Sequence, residues 1–264
     1  MWKFDFSLIS KFRSELMGIA AIGILICHAG ANKVALGPLL PIFNMGQLGN
    51  ALFFMLSGFG LYFSLSRTES NIIAILKWYK KRLVRILVPY LFWCIPFFLY
   101  QLVVYPNTNW LDWIYVFSLL SYWDGSGGVA WFLSVLIALY VISPLLYKAL
   151  LLKNKVSANT IVFAIISLLA YCFSPENVTI RLICSNMPNV LAFILGMAFG
   201  VFSQKGFQIN VVWFFVSGLI AIALYYINKA HQEAHMFHFG SCLLALPLLY
   251  LFFRNVNHDF KGLR

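Results

Sequence analysis

His28 lies near the end of an apolar stretch that runs from Phe12 to Gly30. A histidine this deep in an apolar helix has few polar partners, so it either destabilises the helix slightly or has a function there. Its imidazole, with an unperturbed pKa of about 6.5, takes and returns a proton near neutral pH, as a general base must. The alternative is a core histidine that is hydrogen-bonded to a neighbouring helix, and the stretch alone leaves the two readings equal.

Arg82 and Arg85 form an R-x-x-R pair at the start of another apolar stretch. At this spacing both side chains project from one face of a helix. Guanidinium groups bind phosphate bidentately, whereas lysine offers a point charge, so the pair is a candidate phosphate site. Basic residues also collect in cytoplasmic loops for topology and lipid binding, which is the stronger explanation for the neighbouring lysines, Lys77, Lys80 and Lys81.

Ser57 stands in the middle of an apolar segment, within the sequence LSGFG. Its hydroxyl is a candidate lining group of a binding pocket, and Gly58 and Gly60 predict close approach of another helix or a ligand. No acid or second base accompanies the serine, so no catalytic triad is predicted. Trp131 opens a later apolar segment, where the aromatic belt of a membrane protein is the ordinary explanation.

The sequence predicts no metal site. His231, His235 and His238 share a helix face, but the glutamate of HQEAHMFH is misplaced for a zinc-protease motif, and an exposed helix end is the preferred interpretation. The cysteines show no metal or disulfide spacing and are interpreted as small apolar residues, Cys27, Cys94, Cys172, Cys184 and Cys242.

The elements that must position these residues are membrane helices. Hydrophobic residues make up 62% of the 264 residues and charged residues 10%, and the mean hydropathy is +0.84, so there is too little polar surface to coat a soluble globule. The basic residues that give the formal net charge of +11 lie between the apolar runs. Their excess is explained better by the orientation of the chain in a membrane than by nucleic-acid binding, and no nucleic-acid partner is predicted.

The predicted fold is an all-α polytopic membrane bundle, a single domain over residues 1–264, with both termini cytoplasmic. Most lysines and arginines then lie inside, against Lys33, Arg181 and Lys229 outside. Residues Trp110–Tyr122 are too few to span and predict an interfacial helix on the outer leaflet. Eight spans are expected, at Ser14–Ala31, Gly49–Ser66, Ile86–Tyr105, Val129–Lys148, Ser157–Phe173, Val190–Ser203, Val211–Asn228 and His238–Phe253. The sixth is short and is expected to need Cys184 to Asn189 to reach full thickness.

The first apolar run has no small-residue cleavage site after it, so it is expected to be a retained span. No repeat of 20 to 50 residues and no soluble domain is apparent in the sequence.

Four blocks, taken in order with the first helix, resemble the acyltransferase-3 family of integral membrane acyltransferases, which O-acylate cell-surface glycans. The blocks are GNALFFMLSGFGLYFS at Gly49–Ser64, KWYKKRLVRILVPYLFW at Lys77–Trp93, AWFLSVLIALYVISPLL at Ala130–Leu146 and NMPNVLAFILGMAFG at Asn186–Gly200.

The resemblance implies an acyl-coenzyme A donor, here acetyl-coenzyme A, that is bound from the cytoplasm, with Arg82 and Arg85 as candidate contacts for its phosphates. It implies a catalytic role for His28, either as a base or as an acyl carrier, and possible pocket-lining roles for Ser57 and Trp131. The implied acceptor is a hydroxyl of a cell-surface or lipid-linked glycan at a bacterial inner membrane. Membrane lipids are further expected partners, and the sequence is compatible with a homo-oligomer.

The family's first helix usually carries an arginine eleven residues before the histidine, where this chain has Met17. Such a residue would share the face of His28, rotated by about 20° and roughly 16 Å away along the axis. The nearest substitute is Arg13, about 60° off that axis and roughly 22 Å away. Arg13 is therefore a candidate substrate-binding residue, although an arginine at a helix start often anchors to lipid phosphates.

The family's usual last two spans are also absent, so a shortened form is expected. Two other functions stay open on the sequence. One is a transporter for an organic anion or a glycan intermediate, with His28 and Arg13 as a relay, although no repeat or interrupted helix supports it. The other is an inactive acyltransferase remnant.

Overall fold

The computed structural model describes residues 3–31, 48–105, 109–126, 130–173, 175–231 and 236–255. These residues are helical apart from turns and two three-residue strands, β1 (Lys3–Asp5) and β2 (Gln208–Asn210). The α-helices are α1 (Ser7–Lys11), α2 (Arg13–Ala31), α3 (Leu48–Leu65), α4 (Ile72–Val104), α5 (Trp110–Phe117), α6 (Trp131–Leu150), α7 (Val156–Cys172), α8 (Val178–Ser185), α9 (Met187–Gln204), α10 (Val212–His231) and α11 (Met236–Asn255).

Every predicted span overlaps one of the long helices. Among the described residues, α3, α4, α6 and α9 are long and apolar enough to cross a membrane. Shorter apolar segments occupy Val156–Cys172, Val212–Ala223 and Leu243–Phe252. Helix α2, with Arg13 and Glu15 in its first turn, is not among the four. The all-α membrane class is thus confirmed, while the count of eight spans and the cytoplasmic termini stay predictions.

Helix α4 is longer than the predicted span and begins at Ile72, fourteen residues before Ile86. The Asn71 side chain caps its start by accepting a hydrogen bond of 2.7 Å from the backbone nitrogen of Ala74. Lysine and arginine are good helix formers, and no glycine or proline interrupts the first turns, so the basic stretch continues the helix. Most of α4 is exposed, including Trp93 at 74%, which suits a lipid-facing helix.

The sixth predicted span lies within α9, but its expected extension to Cys184 is wrong. Cys184 belongs to the separate short helix α8, and the chain turns at Asn186 before α9 begins at Met187. Pro188 lies in the first turn of α9, where its missing N–H costs no hydrogen bond and its fixed φ favours a helix start. Similarly, the predicted interfacial helix ends at Phe117, and Leu119 has a φ of +68°.

The backbones of helices α3 and α9 lie in close contact at two glycines. A Cβ on Gly58 would lie 2.8 Å from the carbonyl carbon of Phe193, and one on Gly196 would lie 2.7 Å from that of Met55. Small residues let helix backbones approach in this way. The predicted close approach at Gly58 is confirmed.

The N-terminus is anchored beside the start of α2. Strand β1 pairs antiparallel with β2, with Phe4 opposite Ile209. The ring of Phe4 packs at 5.0 Å from that of Phe214, and the ring of Phe6 at 4.8 Å from that of Phe199. These buried rings fix the chain just before Arg13, so the first turn of α2 has a defined place against α3.

Candidate functional site

One face of α3 carries three small residues, Ser57, Gly60 and Ser64, at i, i+3 and i+7. This spacing aligns them along about 10 Å of the helix. We call these three residues, together with the side chains from other helices that contact them, the polar track. Because α3 is otherwise apolar, the track is its main polar feature.

At one end of the track, two side chains from α4 meet the hydroxyl of Ser64. The indole nitrogen of Trp78 donates to Ser64 Oγ at 2.7 Å, and Nε of Arg82 donates to the same oxygen at 3.1 Å. Trp78 and Arg82 are one helical turn apart, and the tryptophan is buried. Arg82 is half-buried, whereas Arg85 is exposed and close enough for the two charges to repel each other.

In the middle of the track, the guanidinium of Arg13 lies over Gly60. Its Nε donates to the backbone oxygen of Leu56 at 3.1 Å, and the side chain is half-buried. A Cβ on Gly60 would lie 2.5 Å from Cζ of Arg13. The group that approaches Gly60 is thus an arginine side chain, and not the helix backbone or ligand that the sequence predicted.

At the other end of the track, the hydroxyl of Ser57 is within hydrogen-bonding reach of Tyr140 from α6. The charges of Arg13, Arg82 and Arg85 all act on the Tyr140 hydroxyl. The track thus joins three arginines, a phenol and two serine hydroxyls that come from four helices.

No carboxylate neutralises these three arginines among the residues that the structure describes. Burial of a cation without a counter-charge is costly, and Arg13 and Arg82 are both partly desolvated. An anionic ligand that carries phosphate or carboxylate oxygens would supply the missing charge. The track is accordingly a candidate anion site.

His28 lies away from this site, in the last turn of α2, and its side chain is exposed. Helices α2 and α3 run antiparallel, since Gly60 faces Arg13 while a Cβ on Gly49 would lie 3.1 Å from Ile24. His28 is fifteen residues beyond Arg13, about 22 Å along the axis. The structure does not bring the predicted catalytic histidine and the arginines together.

Met17 contributes no charge and packs, half-buried, against an apolar cluster that includes Leu56 and Phe59. Of the predicted site residues, Ser57, Arg13, Arg82 and Arg85 lie along the track.

Trp131 is separated from the track by about two and a half turns of α6, since it lies nine residues before Tyr140. It is half-buried, and its ring packs edge-on to Phe132 at 6.0 Å. The segment that precedes it is tied to the start of α9, because Asn186 Nδ2 donates to the hydroxyl of Tyr122 at 2.6 Å. Burial raises the pKa of Tyr122, so this phenol stays neutral at physiological pH.

Asp124 in the same segment is exposed and ionised. Hydrogen bonds from the side chain of Ser126, from the hydroxyl of Tyr115 and from the backbone of Ser126 lower the pKa of its carboxyl. These contacts order the turn at Asp124–Ser126.

A cleft of about 380 Å³ lies between α6, α8 and α9. Its lining contains no charged side chain, and it differs in this respect from the polar track. The lining residues are Trp123, Val135, Ala138, Leu139, Ile142, Thr179, Ile183, Asn186, Met187 and Val190.

The sequence did not point to Tyr140, Ser64 or Trp78. The repeat of small polar residues at positions 57, 60 and 64 was a readable signal for one face of α3, because its spacing is helical. Tyr140 gave no such signal, since a tyrosine within an apolar run is common in membrane helices.

No group of three or more metal-binding side chains occurs in the part of the chain that the structure describes. His235 and the side chains of His231 and His238 lie outside it.

Comparison with known proteins gives a family. A family model described as an acyltransferase domain, that of acyltransferase-3, matches residues 16–264. No curated protein and no solved structure matches the chain. The match covers the helices that carry His28, Arg82 and Tyr140 and begins three residues after Arg13. With its apolar helices and this match over nearly its whole length, the chain belongs to the acyltransferase-3 family of membrane acyltransferases.

Proposed function

We propose that this protein transfers an acetyl group from cytoplasmic acetyl-coenzyme A to a hydroxyl of a cell-surface or lipid-linked glycan. The proposal places it in a bacterial inner membrane, with the Ser64 end of the polar track toward the cytoplasm. The observation that carries the proposal is that Arg13 and Arg82 contact one face of α3, with the charge of Arg85 close to both Arg82 and Tyr140, and that none of the three has a described carboxylate partner.

In this proposal the arginines bind the donor's phosphates. Arg85 is exposed at the start of the track and Arg82 is held by Ser64, so both can meet a phosphate that arrives from water. Arg13 lies further along the same face of α3. Acyl-coenzyme A carries its phosphates and its thioester at opposite ends, so phosphates bound at Arg82 and Arg85 allow the arm to extend toward Ser57 and Tyr140.

His28 acts on the opposite side of the protein from the site of the donor's phosphates, where the acceptor enters. As a base, it takes the proton of the acceptor hydroxyl while the oxygen attacks the thioester carbonyl. A C–O bond forms, the C–S bond breaks, and coenzyme A leaves as the thiol with that proton. As a carrier, the imidazole nitrogen first attacks the thioester carbonyl, so that a C–N bond forms, the C–S bond breaks and coenzyme A leaves as the thiol. The acceptor oxygen then attacks the acyl group, a C–O bond forms, the C–N bond breaks, and the imidazole keeps the hydroxyl proton. The distance of about 22 Å along α2 between Arg13 and His28 requires the donor to be extended in the first case, or the acyl group to travel in the second.

Ser57 and Trp131 have lesser proposed roles. Ser57 offers its hydroxyl beside Tyr140 to the donor's polar arm. Trp131, at the opposite end of α6 from Leu150, lines the acceptor side as a flat apolar surface.

The test is transfer of labelled acetyl from acetyl-coenzyme A to glycan in membranes that contain the full chain. His28→Ala should lower kcat by about a hundredfold or more, because general-base catalysis contributes that much. It should leave coenzyme A affinity unchanged, since His28 lies far from the track. Arg82→Ala should chiefly raise KM for the donor.

Lys80→Ala is the matched control, since Lys80 is an exposed cation two residues before Arg82 on the same helix. It should change neither constant by more than about twofold. Full transfer by His28→Ala would remove the histidine from the mechanism. Absence of transfer and of coenzyme A binding in the unaltered protein would overturn the proposal.

A further inference from the structure

Gly60 occupies an unusual place on α3, because the group nearest to its missing side chain is charged. A Cβ built there would overlap Nη2 of Arg13 and would lie 2.5 Å from Cζ and 3.0 Å from Nε. By contrast, a Cβ on Gly58 or Gly196 would meet the backbone of the partner helix. Gly60 therefore leaves room for a guanidinium and not for another helix backbone.

The guanidinium is held in that space by the backbone of the same helix turn. Nε of Arg13 donates to the oxygen of Leu56, four residues before Gly60. The flat group lies against the bare backbone at Gly60, and its position there lets its charge act on Tyr140. A Cβ at position 60 would therefore have to displace the guanidinium that makes this hydrogen bond.

No other residue in the first turns of α2 can take this role. Met17, one turn further on, packs in an apolar cluster, and Glu15 has the wrong sign. The charge in the middle of the track thus depends on the long side chain of Arg13 reaching back over α3.

We propose that Gly60 is a positioning residue that seats Arg13 in the donor site, so that the track binds the donor with three arginines rather than two. This inference rests on the proposed function, since it concerns affinity for coenzyme A. It predicts that the effect of a side chain at position 60 is transmitted wholly through Arg13.

The experiment is a double-mutant cycle on the full-length protein in detergent, with coenzyme A affinity as the readout. Gly60→Ala should weaken binding by about tenfold, as expected for loss of one charge-assisted hydrogen bond. Arg13→Ala should weaken it by a similar factor. Gly60→Ala combined with Arg13→Ala should be no weaker than Arg13→Ala alone, because the alanine then has nothing to displace.

Gly18→Ala is the matched control. It makes the same chemical change in the neighbouring helix, and nothing lies within 4 Å of the added Cβ. We expect unchanged binding and a melting temperature that is no lower, because alanine favours the helix more than glycine does.

A purely structural glycine would behave differently. If Gly60→Ala weakens binding by the same factor with and without Arg13, or has no effect in either background, the inference is wrong although the proposed function stands. Should Gly60→Ala fail to fold, the double variant decides: it should fold, because the clash is gone, and its failure to fold would overturn the inference. If the unaltered protein binds no coenzyme A, the proposed function fails and this inference fails with it.

Discussion

The two faces of α3 differ in what they contact, although neighbouring residues of one short motif supply both. On one face Gly58 lies against the backbone of α9, and a Cβ there would lie 2.8 Å from a main-chain carbon. On the other face Ser57 and Gly60 meet Tyr140 and the guanidinium of Arg13. The first face is fixed by backbone contacts, so it leaves no room for an added Cβ at Gly58. The second is made largely of side chains that have rotamer freedom, and it is the face on which we propose that the donor binds.

This difference separates stability from function within one helix. The α9-facing side is a close helix–helix contact of the kind that membrane proteins use in place of hydrophobic burial. The arginine-facing side leaves cations without described carboxylate partners, an arrangement that a protein would not keep for stability alone.

The largest effect is expected from Gly196→Ala, which breaks the packing face. The added Cβ would lie 2.7 Å from the carbonyl carbon of Met55 and 2.9 Å from the nitrogen of Phe59, so the two backbones must separate. We expect a destabilisation of about 3 kcal/mol, seen as a lower melting temperature and poor yield in detergent. Gly18→Ala should be neutral. A variant with normal stability and selectively lost coenzyme A binding would show that the two faces are not separate.

The second effect concerns the ligand face, through Arg82→Lys. Lysine keeps the positive charge but loses the Nε hydrogen bond to Ser64 and the planar fork that binds phosphate bidentately. We expect KM for acetyl-coenzyme A to rise by about tenfold with little change in melting temperature. Unchanged KM would mean that charge alone, and not the fork, is used at this position.

The parts of this organisation that the sequence predicted are those encoded locally. Apolar runs predicted where the long helices lie, and the i, i+3 spacing placed Arg82 and Arg85 on one helix. The close approach at Gly58 followed from glycines in an apolar helix. Each of these features is set by residues within a few turns of one another.

The remaining parts depend on how helices are rotated and tilted against each other. The meeting of Ser57 with Tyr140 joins residues 83 positions apart and is fixed by the packing of α3, α4 and α6. The break at Asn186 was missed because the apolar pattern continues across it, while Pro188 starts a new helix. The proposed role of Arg13 could be suggested from its distance to Met17, but the space at Gly60 that receives its side chain appears only in three dimensions.

A smaller effect is expected from Tyr140→Phe, at the Ser57 end of the track. The ring and its packing remain, and only the hydroxyl near Ser57 and the arginines is lost. We expect a fall of about fivefold in kcat/KM for the donor, in the range of one neutral hydrogen bond. Tyr79→Phe is the control, because it removes a hydroxyl that donates to the backbone of the adjacent Val141 at 2.6 Å. It should alter stability slightly and kcat/KM not at all, and equal losses in both variants would contradict a role for Tyr140 in the site.

The smallest effect is expected from Tyr62→Phe, which tests the border between the two faces. Tyr62 is buried, its ring packs where a Cβ on Gly200 would reach it, and its hydroxyl donates to the exposed side chain of Gln204. Phenylalanine keeps the packing and water can satisfy Gln204, so unfolding free energy should fall by less than about 1 kcal/mol. Donor affinity should stay the same, because the chemistry of α3 is confined to the face that carries Ser57, Gly60 and Ser64. If coenzyme A affinity instead fell as far as in Arg82→Lys, the site would extend around α3 onto its packing face. Helix packing and donor binding would then not be confined to separate faces of α3.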